Sequence, residues 1–109
     1  MNPYVAIHEQ FTKIGVGLAA TLPDDWVAPL ISRVEQDTAI RHVPCARESE
    51  AVVVASGAFF GGIKSVVIIG ATGLLTCTGE LATLNLRHQI PVFCIVSRRG
   101  TIDDQRVYQ

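Results

Sequence analysis

The run His42-Val-Pro-Cys-Ala-Arg-Glu-Ser-Glu-Ala51 sets a carboxylate, Glu48, between an extended stretch and the apolar segment Val52-Val53-Val54. An acid in that setting stands at the mouth of a strand-to-helix turn, and open α/β folds bind their ligands beyond the carboxyl ends of their strands. A carboxylate there is suited to holding or sharing a proton. A dry pocket favours the shared proton, whereas the positive end of a helix favours the anion, and the sequence leaves that balance open. The competing reading is an ordinary acid in a first helical turn, contributing up to about 1 kcal/mol through the helix dipole and nothing to chemistry. Glu50 lies two residues on, about 200° around a helix, so only one of the two acids faces a common site.

Thr72 and Gly73 follow a β-branched run, where a residue without a side chain lets a planar ring approach the backbone. The alternative is a routine strand-to-helix turn with Thr72 as the helix cap. Cys45, Cys77 and Cys94 form no Cys-x-x-Cys pair and have no histidine at zinc-ligand spacing, so they read as small buried residues of a reducing compartment, with no metal site. A nucleophilic Cys45 needs a base. His42, three residues upstream on a strand, points to the opposite face. His42 and His88 read as structural or solvated.

The elements that must position these residues follow from periodicity and punctuation. Tyr4, Ile7, Phe11 and Ile14 recur at helical spacing, and Gly15 and Gly17 stop that helix. Val16 to Leu22 is a short buried strand with a modest β signal because of its alanines. Trp26, Val27, Leu30, Ile31 and Val34 share a helical face behind Asp24 and Asp25; Pro29 places the regular helix from about Ala28. Ile40 to Val43 is a second strand, ended by Pro44. A helix from about Arg47 to Phe60 follows, held helical by packing because its three valines favour strand, and Gly61-Gly62 stops it. Ser65 to Ile69 and Pro91 to Val96 are continuous apolar strands, and Leu74, Cys77, Leu81 and Leu84 keep a helical period between them up to about His88. Thr101 to Gln109 has no period and reads as loop or tail.

Strand and helix alternate, so the expected fold is α/β: a parallel sheet flanked by helices on both faces. Such a domain normally continues with another helix and strand, which makes this chain either minimal or cut short at its C-terminus. A length of 109 residues, 49% of them hydrophobic and 17% charged, suits a single packed domain. The formal net charge of −1 gathers no nucleic acid. Neither a signal peptide nor an apolar run long enough to span a bilayer is evident, so the chain is expected in the cytoplasm.

Several motifs lie in register with one family. His42-Val-Pro-x-x-Arg47-Glu48-x-Glu50-Ala51, Gly57-Ala58, Gly70-Ala-Thr-Gly-Leu74, Leu81-Ala-Thr-Leu-Asn-Leu86, Ile90-Pro-Val and Ser97-Arg-Arg-Gly100 resemble the pyrimidine-binding domain of thiamine-diphosphate enzymes. Within that superfamily the chain is most similar to the alpha subunit of sulfopyruvate decarboxylase and to the corresponding part of phosphonopyruvate decarboxylase. The resemblance covers residues 1–100, leaving 101–109 as the tail. It departs from the family at Leu75, where a second glycine is usual, and at Ala71, where an amide is usual.

The resemblance implies that Glu48 is catalytic, hydrogen-bonding the N1′ nitrogen of the cofactor's aminopyrimidine and favouring the tautomer that activates it. It implies that Thr72, Gly73 and Pro23 line the pyrimidine pocket, and that Arg47 and Arg98, with Arg99, offer charge to a sulfonate or phosphonate tail, to which a guanidinium is well matched. Gly-Asp-Gly, which in the family binds magnesium and the diphosphate, does not occur in this chain. The diphosphate and Mg are therefore expected to be held mainly by a separate diphosphate-binding subunit, in a hetero-oligomer. The implied activity is decarboxylation of a 2-oxo acid. A carboligase subunit is the near alternative, and a noncatalytic α/β scaffold or regulatory subunit is the alternative of another class.

Overall fold

The computed structural model describes residues 2–98. Arg99, Gly100 and the tail at 101–109 lie outside the described residues. Helix α1 (Pro3–Ile14) opens where the Asn2 side chain accepts the Tyr4 N–H at 2.8 Å and closes at Gly15, whose φ of 79° demands glycine. Strand β1 (Leu18–Thr21), helix α2 (Ala28–Gln36) and strand β2 (Arg41–Pro44) follow. Pro29 sits in the first turn of α2, where its missing donor removes no helical bond. Helix α3 (Glu48–Phe60) and strand β3 (Ser65–Gly70) complete the centre. The valines of α3 stay helical because Ala51, Val52 and Ala55 are buried against the sheet.

The sheet is parallel throughout, in the order β2-β1-β3-β4, with β4 at Cys94–Ser97. Alternation along β1 and β3 divides the core in two. Ala20, Val67 and Ile69 pack under α3, whereas Ala19, Val66 and Ile68 face Phe11 of α1 and Leu30 and Val34 of α2. Helices therefore cover both faces, which is the expected α/β architecture.

Strand β1 is shorter than Val16 to Leu22, β2 runs one residue later and takes in Pro44, which pairs with Thr21, and two elements differ more. Strand β4 begins at Cys94 rather than Pro91. Pro91 has no N–H to donate, and contact with the sheet starts where the Val67 N–H reaches the Phe93 carbonyl at 2.8 Å. The single helix expected up to His88 is broken into α4 (Ala71–Thr76), a short α5 (Thr78–Glu80) and a π-helical turn over Leu81–Leu86. Hydroxyls in this stretch bond back to carbonyls, Thr76 to Gly73 at 2.7 Å, Thr78 to Leu75 at 3.2 Å and Thr83 to Gly79 at 2.8 Å, and so compete with the regular ladder. The buried Asn85 side chain anchors the turn, its Nδ2 donating to Ser56 Oγ at 2.9 Å and to the Ile90 carbonyl at 3.1 Å.

Candidate active site

Three strands end at one place. Beyond β1 the chain turns at Pro23 and Asp24, beyond β2 it enters α3 at Glu48, and beyond β3 it enters α4 through Gly70, Thr72 and Gly73. These residues, with Thr76, line a cleft of about 310 Å³. The site thus lies at the carboxyl edge of a parallel sheet, where such folds carry their ligands.

Glu48 is half-buried in the first turn of α3, and no side chain caps that helix. Its carboxylate lies against Gly73 so closely that a Cβ on residue 73 would overlap Glu48 Cγ, Cδ and Oε2. The absent side chain at Gly73 is what gives the acid its room. Thr72 is exposed on the second position of α4; Gly70 occupies the cap position, so Thr72 lines the cleft without capping the helix. The structure therefore brings Glu48, Thr72, Gly73 and Pro23 together. Arg47 and Arg98 it leaves exposed and outside the cleft lining.

Glu50 has a different job. Its Oε1 accepts the Ala46 N–H at 3.0 Å, tying the third position of α3 back to the loop that enters it. Asp24 also lines the cleft, a role that sequence reasoning missed although its position directly after Leu22-Pro23 pointed there; an acid before a helix already has a local explanation as a cap. His42 bonds Thr21 through Nε2 and Oγ1 at 2.7 Å, linking the edge strand to β1. Burial pushes the Cys45, Cys77 and Cys94 thiols up, with the Glu50 carboxylate adding to the effect at Cys45, so all three are held in the un-nucleophilic thiol form. Among the described residues no group of three or more His, Cys, Asp or Glu side chains is placed to hold a metal ion. No helix among them is long and apolar enough to cross a membrane.

A larger hollow of about 660 Å³ lies at the other end of the sheet, lined mainly by apolar groups such as Ile14, Phe59, Ile63 and Phe93. Among the described residues Lys64 is its only ionisable lining residue, and its Nζ donates to the Ile14 carbonyl at 2.9 Å. The hollow's lining carries no carboxylate, imidazole or thiol, and the carboxylates that could hold a proton stand in the smaller cleft.

The fold and the cleft define an α/β ligand-binding domain with a single helix-initiating acid set against a glycine turn. The whole chain, residues 1–109, matches the family described as thiamine pyrophosphate enzyme, N-terminal TPP binding domain, and it belongs to that family. It is 33% identical to a sulfopyruvate decarboxylase subunit alpha of Methanothermobacter thermautotrophicus, over 88% of this chain and 58% of that protein. Against the subunit of the same name from Methanococcus maripaludis the identity is 27%, over 96% of this chain and 63% of the relative. A phosphonopyruvate decarboxylase of Streptomyces viridochromogenes is 37% identical over 82% of this chain and 22% of its own length. The chain thus spans 63% or less of the length of these relatives.

The cleft suits one end of the family's cofactor. Gly73 leaves room for the Glu48 side chain at the cleft, where the carboxylate stands beside Gly70, Thr72 and Pro23.

Proposed function

We propose that this chain is the pyrimidine-binding subunit of a split thiamine-diphosphate-dependent 2-oxo acid decarboxylase, of the sulfopyruvate or phosphonopyruvate class, completed by a separate diphosphate-binding subunit that holds Mg. The observation that carries this reading is Glu48 set against Gly73 in the cleft at the carboxyl edge of the sheet. The names of the relatives supply the reaction class, and "subunit alpha" in two of them supports a multi-subunit enzyme.

When bound, thiamine diphosphate supplies an electron sink for the charge released as a 2-oxo acid loses carbon dioxide. Glu48 holds the proton at N1′ of the aminopyrimidine. Thr72 and Gly73 form one wall of the ring's pocket and Pro23 the other. Arg47, next to Glu48, and Arg98, which follows the β4 residue paired with Gly70, offer charge to the substrate's anionic tail from outside the cleft.

Co-expression with the diphosphate-binding subunit, followed by cofactor-binding and decarboxylation assays on several 2-oxo acids, tests the proposal. The pair binds the cofactor and releases carbon dioxide; a pair that binds none overturns it. In an active pair, Glu48→Gln lowers kcat by about 10²- to 10⁴-fold. Glu50→Gln, which keeps an acceptor for the Ala46 N–H, is mild, and the reverse ranking assigns the chemistry to the wrong acid.

A further inference from the structure

One wall of the cleft, at Pro23 and Asp24, belongs to a turn, and the structure shows groups that fix it. After β1, Leu22 still donates its N–H to the Ile68 carbonyl at 3.2 Å, and then Pro23 ends the ladder. Asp24 Oδ1 accepts two backbone donors, Trp26 N–H at 3.0 Å and Val27 N–H at 3.3 Å. The Val27 N–H also approaches the Asp24 carbonyl at 3.2 Å, and the Val27 side chain is buried with Leu30 and Val34. From behind, the Tyr4 hydroxyl of α1 donates to the Trp26 carbonyl at 2.6 Å. Carboxylate, core anchor and phenol therefore hold one four-residue turn, whose cleft side presents Pro23 and Asp24.

From this network we infer that Asp24 and Tyr4 are positioning residues: together they hold the Pro23 wall at the distance from Glu48 that a planar ring requires. The inference rests on the proposed pyrimidine site and deepens it. The feature of Asp24 that matters is an acceptor oxygen, since a turn capped by a side-chain carbonyl is held equally by an amide. For Tyr4 it is one hydroxyl on the far side of the turn from the ligand.

Trp26 is the single tryptophan of the chain and sits inside the turn, so it reports on the turn directly. In the full chain without cofactor, Asp24→Ala and Tyr4→Phe increase quenching of Trp26 fluorescence by acrylamide, and Asp24→Asn returns it to the wild-type value. In the assembled pair, Asp24→Ala and Tyr4→Phe raise the Kd for thiamine diphosphate by about 10-fold, while kcat at saturating cofactor changes by less than about threefold. Asp24→Asn recovers the affinity to within about threefold of wild type. Asp24→Asn binding as weakly as Asp24→Ala overturns the inference, because the charge and not the acceptor would then be needed. Unchanged quenching and affinity in Tyr4→Phe overturn it as well, and that variant keeps its ring packing should Asp24→Ala fail to fold. A wild-type pair that binds no cofactor strikes the proposed function and the ring-spacing role with it, while the quenching series separately decides whether Asp24 and Tyr4 hold the turn.

Discussion

Glu48 and Gly73 arrive at the cleft from the ends of different strands, and an added Cβ at residue 73 would overlap the acid's side chain. Gly73→Ala therefore separates site from fold. Helix propensity favours alanine by up to about 0.5 to 1 kcal/mol, which offsets part of the cost of displacing the half-buried Glu48 side chain from Cγ outward, so the protein still melts as a folded unit. Glu48 must swing away, and cofactor binding by the assembled pair falls; binding calorimetry beside a thermal melt checks both halves of this expectation. Removing the acceptor of the Ala46 N–H has the opposite pattern. Glu50→Ala costs about 0.5 to 2 kcal/mol of stability, as loss of a helix-capping contact does, and leaves the Glu48 side of the cleft in place. The two acids were separable in the sequence because about 200° of helix stands between them. Asp24 was not recognised as part of the cleft because capping a helix already accounts for an acid at that position.

The segments around the cleft were legible where punctuation is strong. Gly15 ends α1 and Gly61-Gly62 follows α3, each through a backbone requirement that the sequence states openly, whereas the Asn2 cap and Pro3 that start α1 went unread. Between Ala71 and His88 the sequence misleads, because apolar residues at Leu74, Cys77, Leu81 and Leu84 are compatible with a straight helix and with one that widens into a π turn. What decides is the hydroxyl bonding of Thr76, Thr78 and Thr83 together with the Asn85 anchor, neither of which has a periodicity. Asn85→Ala leaves the Ile90 carbonyl without that partner and costs about 1 to 3 kcal/mol in chemical denaturation. A second tie joins α1 to the end of α2, where His8 Nε2 lies 2.7 Å from Asp37 Oδ2. The His8 bond, followed by the Ala39 N–H, lowers the Asp37 carboxyl below its ordinary value. The folded-state value being depressed, this carboxylate stabilises the fold above about pH 4 and loses that contribution as the pH falls through the lowered folded value. Melting curves of wild type and Asp37→Asn differ at neutral pH and converge in acid, by under about 1 kcal/mol for a pair this near the surface.

Across the whole molecule, the four-residue β1 has to serve two cores at once. Ala19 and Ala20 are both fully buried, one under α1 and α2 and the other under α3, so helices on opposite faces approach the sheet at its centre. The alanines that weakened the strand signal are what this close approach uses. Ala20→Leu overfills the α3 side and costs about 1 to 3 kcal/mol, read as a lower denaturation midpoint without loss of the parallel sheet by circular dichroism. Because α1 both covers one core and reaches the Asp24 turn through Tyr4, its first residues are mechanically part of the cleft's far wall. A purification handle fused ahead of Asn2 would sit beside the helix cap and one turn or less from that phenol. Affinities measured on such a fusion would report on the handle as well as on the cleft, so the tag should be removed, or carried at the other terminus, before any ligand is titrated.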